Sequence, residues 1–133
     1  MIVWERWQND ENLRQSVRDR LKRWGGWSQG GEDNLGFPSH AEWTIPPEHE
    51  RMATAYPLTP REFDEATESE RVISTMAATT RKRSAWLLWA FYKMQQPIWK
   101  ITKAYNEEFK QNIRTEEAAA RLTDAEWIFA CLC

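Results

Sequence analysis

A chain of 133 residues is long enough to build one domain around its own core without disulfide or metal support. A formal charge of −2 excludes a uniformly basic or acidic chain. No apolar run approaches the roughly 18 residues of a membrane-crossing helix, and the amino terminus lacks the basic, apolar and small-residue order of a signal peptide. The sequence therefore predicts a cytoplasmic protein without a membrane partner. The compositional outlier is tryptophan, with nine copies. Each indole can bury roughly 150–250 Å² and so braces a small core, and tryptophan is equally a favoured interface anchor.

The first predicted helix runs from about Asp10 to Trp24 (10–24). Leu13, Val17, Leu21 and Trp24 form one stripe, Arg14, Arg18 and Lys22 lie opposite, and Gly25-Gly26 is expected to stop it. Trp24 and Trp27 are expected to pack this helix against the carboxy-terminal region. From 25 to 60 the glycines 30 and 31 and the prolines 38, 46, 47, 57 and 60 interrupt every period. This reads as an irregular segment pinned by Trp27, Phe37, Trp43 and Tyr56. Order returns at Thr59-Pro60-Arg61-Glu62, a capping box with proline at the first helical position. The helix that follows is expected to place Phe63, Ala66, Glu70, Ile73 and Ala77 along one line and to end at Thr79-Thr80.

The region 61–133 carries the strongest pattern. Ser84 to Met94 is almost solidly apolar and Gln95-Gln96-Pro97 breaks it. Pro97 fits the first position of a second helix in which Ile98, Ile101, Thr102 and Tyr105 share one face and Lys100 and Lys103 the other. A final helix spaces Ala118, Leu122, Ala125, Phe129 and Leu132 by four, three, four and three, a continuous apolar seam. No alternation long enough for a strand occurs. The predicted fold is all-α, a single domain ending in a helix-turn-helix, although the connection from Tyr105 to Arg114 is longer than the three or four residues of a standard turn.

Charge is polarised along the chain. Between Thr79 and Arg114 eight cations (Arg81, Lys82, Arg83, Lys93, Lys100, Lys103, Lys110, Arg114) face two acids, Glu107 and Glu108, a balance of plus six. His40 to Ala78 instead holds three cations against eight acids. Joined to the helical pattern, the basic stretch points to nucleic acid. A recognition helix offers its first turn to base edges, which selects Gln111, Asn112, Arg114, Thr115 and Glu117. Lys100, Lys103 and Lys110 are assigned to phosphates. The basic face Arg14, Arg18, Lys22 and Arg23, diluted by Asp10, Glu11 and Asp19, is a second nucleic-acid contact that could include emerging RNA, as could Arg81, Lys82 and Arg83.

Catalytic signatures are missing. There is no G-x-S-x-G, no phosphate-cradling glycine loop and no H-E-x-x-H, so a non-enzyme without cofactor or metal is expected. Cys131 and Cys133 with His40 and His49 match no standard zinc spacing; two reduced thiols at a helix end are the simpler expectation.

Leu21-Lys-Arg-Trp-Gly-Gly-Trp27 resembles the Leu-x-Arg-Trp-Gly-x-Trp opening of the smaller, zinc-free branch of the lambdoid-phage antitermination protein Q family. Later features follow in the same order: Val72-Ile73 ending an acidic helix, Leu87-Leu88-x-x-Phe91-Tyr92, Ile101, and Ala125-Glu126-x-Ile128 before Leu132. The resemblance implies a phage-encoded late-gene regulator in the bacterial cytoplasm. Such a protein binds DNA near its promoter, loads onto host RNA polymerase and carries it past terminators. On this reading the second basic group, Arg14 to Arg23 with Arg81 to Arg83, can also touch polymerase. Two alternatives stay open: a small DNA-packaging subunit of the terminase type, and an adaptor that binds host polymerase alone.

Overall fold

The computed structural model describes residues 2–28 and 59–132. These are 83% helix with no strand, so the all-α expectation holds for them. Most of the irregular segment expected over 25–60, including Phe37, Trp43 and Tyr56, lies outside the described residues, as do His40, His49 and Cys133.

A short helix that the sequence reading did not foresee comes first: α1, Trp4–Asn9. Its Trp7 is fully buried, and Trp4 meets Trp127 edge to face at 5.1 Å between ring centroids. Asp10 then breaks the chain and caps the next helix, its Oδ1 accepting the Leu13 amide at 3.0 Å. Helix α2, Glu11–Ser28, buries Val17, Leu21 and Trp24 along the expected stripe.

The expectation that Gly25-Gly26 ends this helix is wrong: α2 runs through both. Gly25 is there for proximity. A Cβ at that position would lie 2.7 Å from the Tyr92 carbonyl carbon and closer still to its oxygen. The glycine therefore lets two backbones touch, at a propensity cost of about 1 kcal/mol relative to alanine.

Helix α3, Pro60–Ala77, starts as predicted. Thr59 Oγ1 accepts the Glu62 amide at 3.2 Å and its hydroxyl donates to the Glu62 carboxylate at 2.9 Å. Its buried face differs from the expected line. Ala66, Ser69, Val72, Ile73 and Met76 are inside, whereas Phe63 is 50% exposed. The small residues Ala66 and Ser69 allow close approach of α2, and two polar contacts fix the register: Arg20 Nε donates to Ser69 Oγ at 3.1 Å, and the Trp24 indole N–H donates to Glu70. Glu70, the misfit of the predicted apolar line, is thus the hydrogen-bond partner of the buried Trp24 indole.

Helix α4, Lys82–Leu88, continues into a π-helical turn, Trp89–Lys93. The wider turn shows as a bond from the Met94 amide to the Trp89 carbonyl, 3.0 Å long. It leaves Trp89, Ala90, Tyr92 and Lys93 all buried, and beyond its C-cap Met94 the chain turns at Gln95, whose φ of 51° is left-handed. Helix α5, Ile98–Phe109, follows, with Pro97 as N-cap rather than at the expected first helical position. The last helix, α6, Thr115–Leu132, buries Ala118, Leu122, Ala125 and Phe129 as the seam predicts, while Leu132 is 44% exposed. It packs on both α4 and α5, and α2 packs on α3 and on the π turn.

Candidate nucleic-acid interface

Helix α5 and the turn after it set the geometry of the basic region. Ile101, Thr102, Ala104 and Tyr105 face the core, with Ile98 half-buried, and Lys103 is exposed on the far side with Lys100 half-buried. The helix does not stop near Tyr105. Phe109 extends it by another turn, because its ring docks edge to face on Trp86 at 5.7 Å and lies 4.9 Å from the Tyr105 ring. The connection to α6 is therefore Lys110 to Arg114, shorter than the Tyr105-to-Arg114 span expected from sequence. Lys110 closes α5 in the left-handed conformation, φ 52° and ψ 48°. Asn106 brackets the turn: its Oδ1 accepts the Ile113 amide at 3.0 Å and its Nδ2 donates to the Ile113 carbonyl at 3.1 Å. Arg121 then ties α6 to α5, donating to the Tyr105 hydroxyl at 2.9 Å.

Arg114, Thr115 and Glu117 are exposed at the start of α6, whereas Gln111 and Asn112, expected in the first turn of that helix, lie in the turn before it: Asn112 is exposed, and half-buried Gln111 donates its Nε2 to the Phe109 carbonyl at 3.3 Å. The Ala118 amide bonds to the Arg114 carbonyl at 3.0 Å, so Arg114 is the N-cap and Thr115 the first helical residue. Glu116 and Glu117 suit the positive end of the helix dipole but repel phosphate. A favourable contact from Glu117 must therefore be to a base edge, such as a cytosine amino group.

Arg83 places its guanidinium 5.4 Å from the centroid of the Phe109 ring. The start of α4, with Arg81, Lys82 and Arg83 all exposed, is thereby set beside the end of α5 and Lys110. Three cations at a helix start oppose the dipole, so helix stability does not account for them. Lys93, counted among the cations of this stretch, is instead only 5% exposed and contributes little to the surface.

The basic face of α2 is largely engaged within the fold. Arg23 pairs with Glu65 at 2.6 Å, and Arg14 donates to the Gln8 carbonyl. Arg18 donates through Nε to Glu126 at 2.9 Å, and of the four Lys22 and the Glu65-paired Arg23 are exposed. Glu126 is 2% exposed and also accepts the Tyr92 hydroxyl at 2.9 Å. Burial, then the adjacent Glu126 carboxylate, pushes the Tyr92 phenol well above the ordinary tyrosine range. These groups line a cleft of about 450 Å³ with Gln15, Ile98 and Leu122. The carboxylate there is held by two donors and acts as a strut between α2, the π turn and α6.

Cys131 reaches the Ile2 carbonyl at 3.4 Å, and among the described residues no three His, Cys, Asp or Glu side chains are grouped to hold a metal. No described helix is long and apolar enough to cross a membrane. Sequence reasoning passed over Asn106, Phe109 and the exposed Trp99. The helical phase that put Ile98, Ile101, Thr102 and Tyr105 inside already placed Trp99 outside. No family model matches the chain, and no curated protein or solved structure is detectably similar to it.

Proposed function

We propose that this protein is a sequence-specific DNA-binding transcription antiterminator, a phage late-gene regulator that binds near its promoter and loads onto the host RNA polymerase. The observation that supports the reading is the short, side-chain-bracketed turn from Lys110 to Arg114 between α5 and α6, with Arg114, Thr115 and Glu117 exposed where α6 begins; we read this pair as a helix-turn-helix. Gln111 and Asn112 suit adenine and Arg114 suits guanine, whereas Lys100, Lys103 and Lys110 supply phosphate contacts. Arg81, Lys82 and Arg83, set beside the same turn by the Arg83–Phe109 contact, extend the cationic surface toward the backbone or toward polymerase. Arg14, Arg18 and Arg23 are the weaker part of the second contact, because internal partners hold them.

Binding, read-through and native mass measurements test the proposal. If about four to six phosphates are neutralised, log affinity for duplex DNA against log salt slopes at roughly −4 to −5. Arg114→Ala costs about 1–3 kcal/mol on the cognate site and much less on random DNA. On a template with the cognate late promoter and an intrinsic terminator, the protein raises read-through, and the effect survives moving the terminator several hundred base pairs downstream. Background read-through with the matching polymerase refutes antitermination. A high-order ring by native mass spectrometry would favour packaging, and polymerase binding without DNA specificity would favour an adaptor.

A further inference from the structure

We propose that Trp99, with Lys100 and Lys103 beside it, is a stacking platform for an unpaired base of single-stranded nucleic acid. Among the tryptophans whose side chains are described, this one stands apart. Trp7, Trp24, Trp86 and Trp89 are at most 1% exposed, and Trp4 and Trp127 pack on each other, whereas Trp99 is 60% exposed. It sits in the first turn of α5, a helix fixed from beneath by Ile101, Ala104 and Tyr105, so the ring projects from a rigid support.

A lone exposed apolar residue is ordinary on a protein surface. The cations are what give this one a ligand. The Lys100 ammonium lies 5.5 Å from the indole centroid, and Lys103 follows Trp99 by one helical turn on the same side. Glu107 comes one turn after Lys103 and bounds the cationic strip. A flat π face beside a short cationic strip fits a polymer that carries both aromatic plates and a repeating anion. In a duplex those plates are hidden in the stack; in a single strand they are free, and base stacking on an aromatic side chain is the general mode of binding such strands. An arriving base takes the ring face and releases the Lys100 ammonium to the adjoining phosphate. This surface shares Lys100 and Lys103 with the duplex interface proposed above and rests on that reading for them, but Trp99 has no part in duplex recognition.

The experiment measures anisotropy of labelled oligo(U), oligo(dT) and a random duplex of equal length with the full chain, Trp99→Leu and Trp99→Phe. Because Trp99 is exposed, both variants are expected to melt as the parent does, which circular dichroism verifies. Trp99→Leu should weaken both single strands roughly 5- to 150-fold, the range for one stacked base. Trp99→Phe should retain most of the affinity, and the duplex should change by less than about twofold. A loss confined to one single strand would support the platform and name its polymer. Absence of single-strand binding by the parent chain would overturn the proposal, as would equal affinities of the parent and Trp99→Leu; the latter would leave strand binding to backbone charge alone. If duplex affinity and its salt dependence fail while the Trp99 effect persists, the antiterminator reading falls and this one stands.

Discussion

Gly25→Ala sets two physical effects against each other at one atom. Alanine is the better helix former by about 1 kcal/mol, so propensity alone predicts a more stable protein. The added Cβ would however lie 2.7 Å from the Tyr92 carbonyl carbon and 3.4 Å from the Lys93 nitrogen, both backbone atoms. They cannot rotate away, and the π turn that holds them is packed, with Trp89 and Ala90 fully buried and Tyr92 4% exposed. Relief requires α2 to back off by roughly 1 Å, a gap that forfeits a quarter to a half of the dispersion attraction along the contact. Overpacking of this kind costs about 1–3 kcal/mol, and a clash with backbone belongs at the upper end. After subtracting the propensity gain, Gly25→Ala should destabilise by about 1–2 kcal/mol, roughly 3–10 °C in Tm for a chain of this size. Urea unfolding followed by far-UV circular dichroism measures it, with Ser16→Ala on the exposed side of α2 as a control for propensity. A Gly25→Ala protein as stable as the parent, or more stable, would refute the close-approach account.

Three further perturbations follow. Tyr92→Phe removes the hydroxyl donated to buried Glu126 and should cost about 1.5–3 kcal/mol at neutral pH, the range for hydrogen bonds to charged groups. Because the folded state raises the Tyr92 pKa, the stabilisation is complete below the ordinary tyrosine value near 10 and declines above it. The gap between parent and variant in urea unfolding should therefore narrow from about pH 10 upward, and a gap that widens there contradicts the assignment. Lys110→Gly relieves a left-handed residue and should raise stability by about 0.5–1 kcal/mol while lowering duplex affinity, two opposite changes that a melting curve and a binding titration read separately. Trp24→Ala empties a fully buried site and strands the Glu70 carboxylate, and should cost about 3–5 kcal/mol; unchanged thermal stability would mean that Trp24 does not brace α2.

Local chemistry was legible in the sequence wherever one residue's neighbours in the chain decide its state. The Thr59–Glu62 box, the Leu21–Trp24 stripe, the break at Gln95–Pro97 and the seam from Ala118 to Phe129 need only helical period and capping, and they stand as read. Tertiary contact decided the rest. Gly25 signals a helix end by propensity, but approach to the Tyr92 backbone outweighs that preference. Phe109 prolongs α5 because Trp86, distant in sequence, offers it a ring, and the turn to α6 shortens as a result. Glu70 and Glu126 look like interruptions of apolar faces until Trp24, Arg18 and Tyr92 arrive from other helices as donors. Arg14, Arg18 and Arg23 form one basic face along the chain, yet in space Arg14 turns back to the Gln8 carbonyl, Arg18 to α6 and Arg23 to α3. Period and capping act between residues a few positions apart, so a sequence displays them; the partner of a buried or charged group is chosen by which helices meet, and that becomes visible only in the assembled fold.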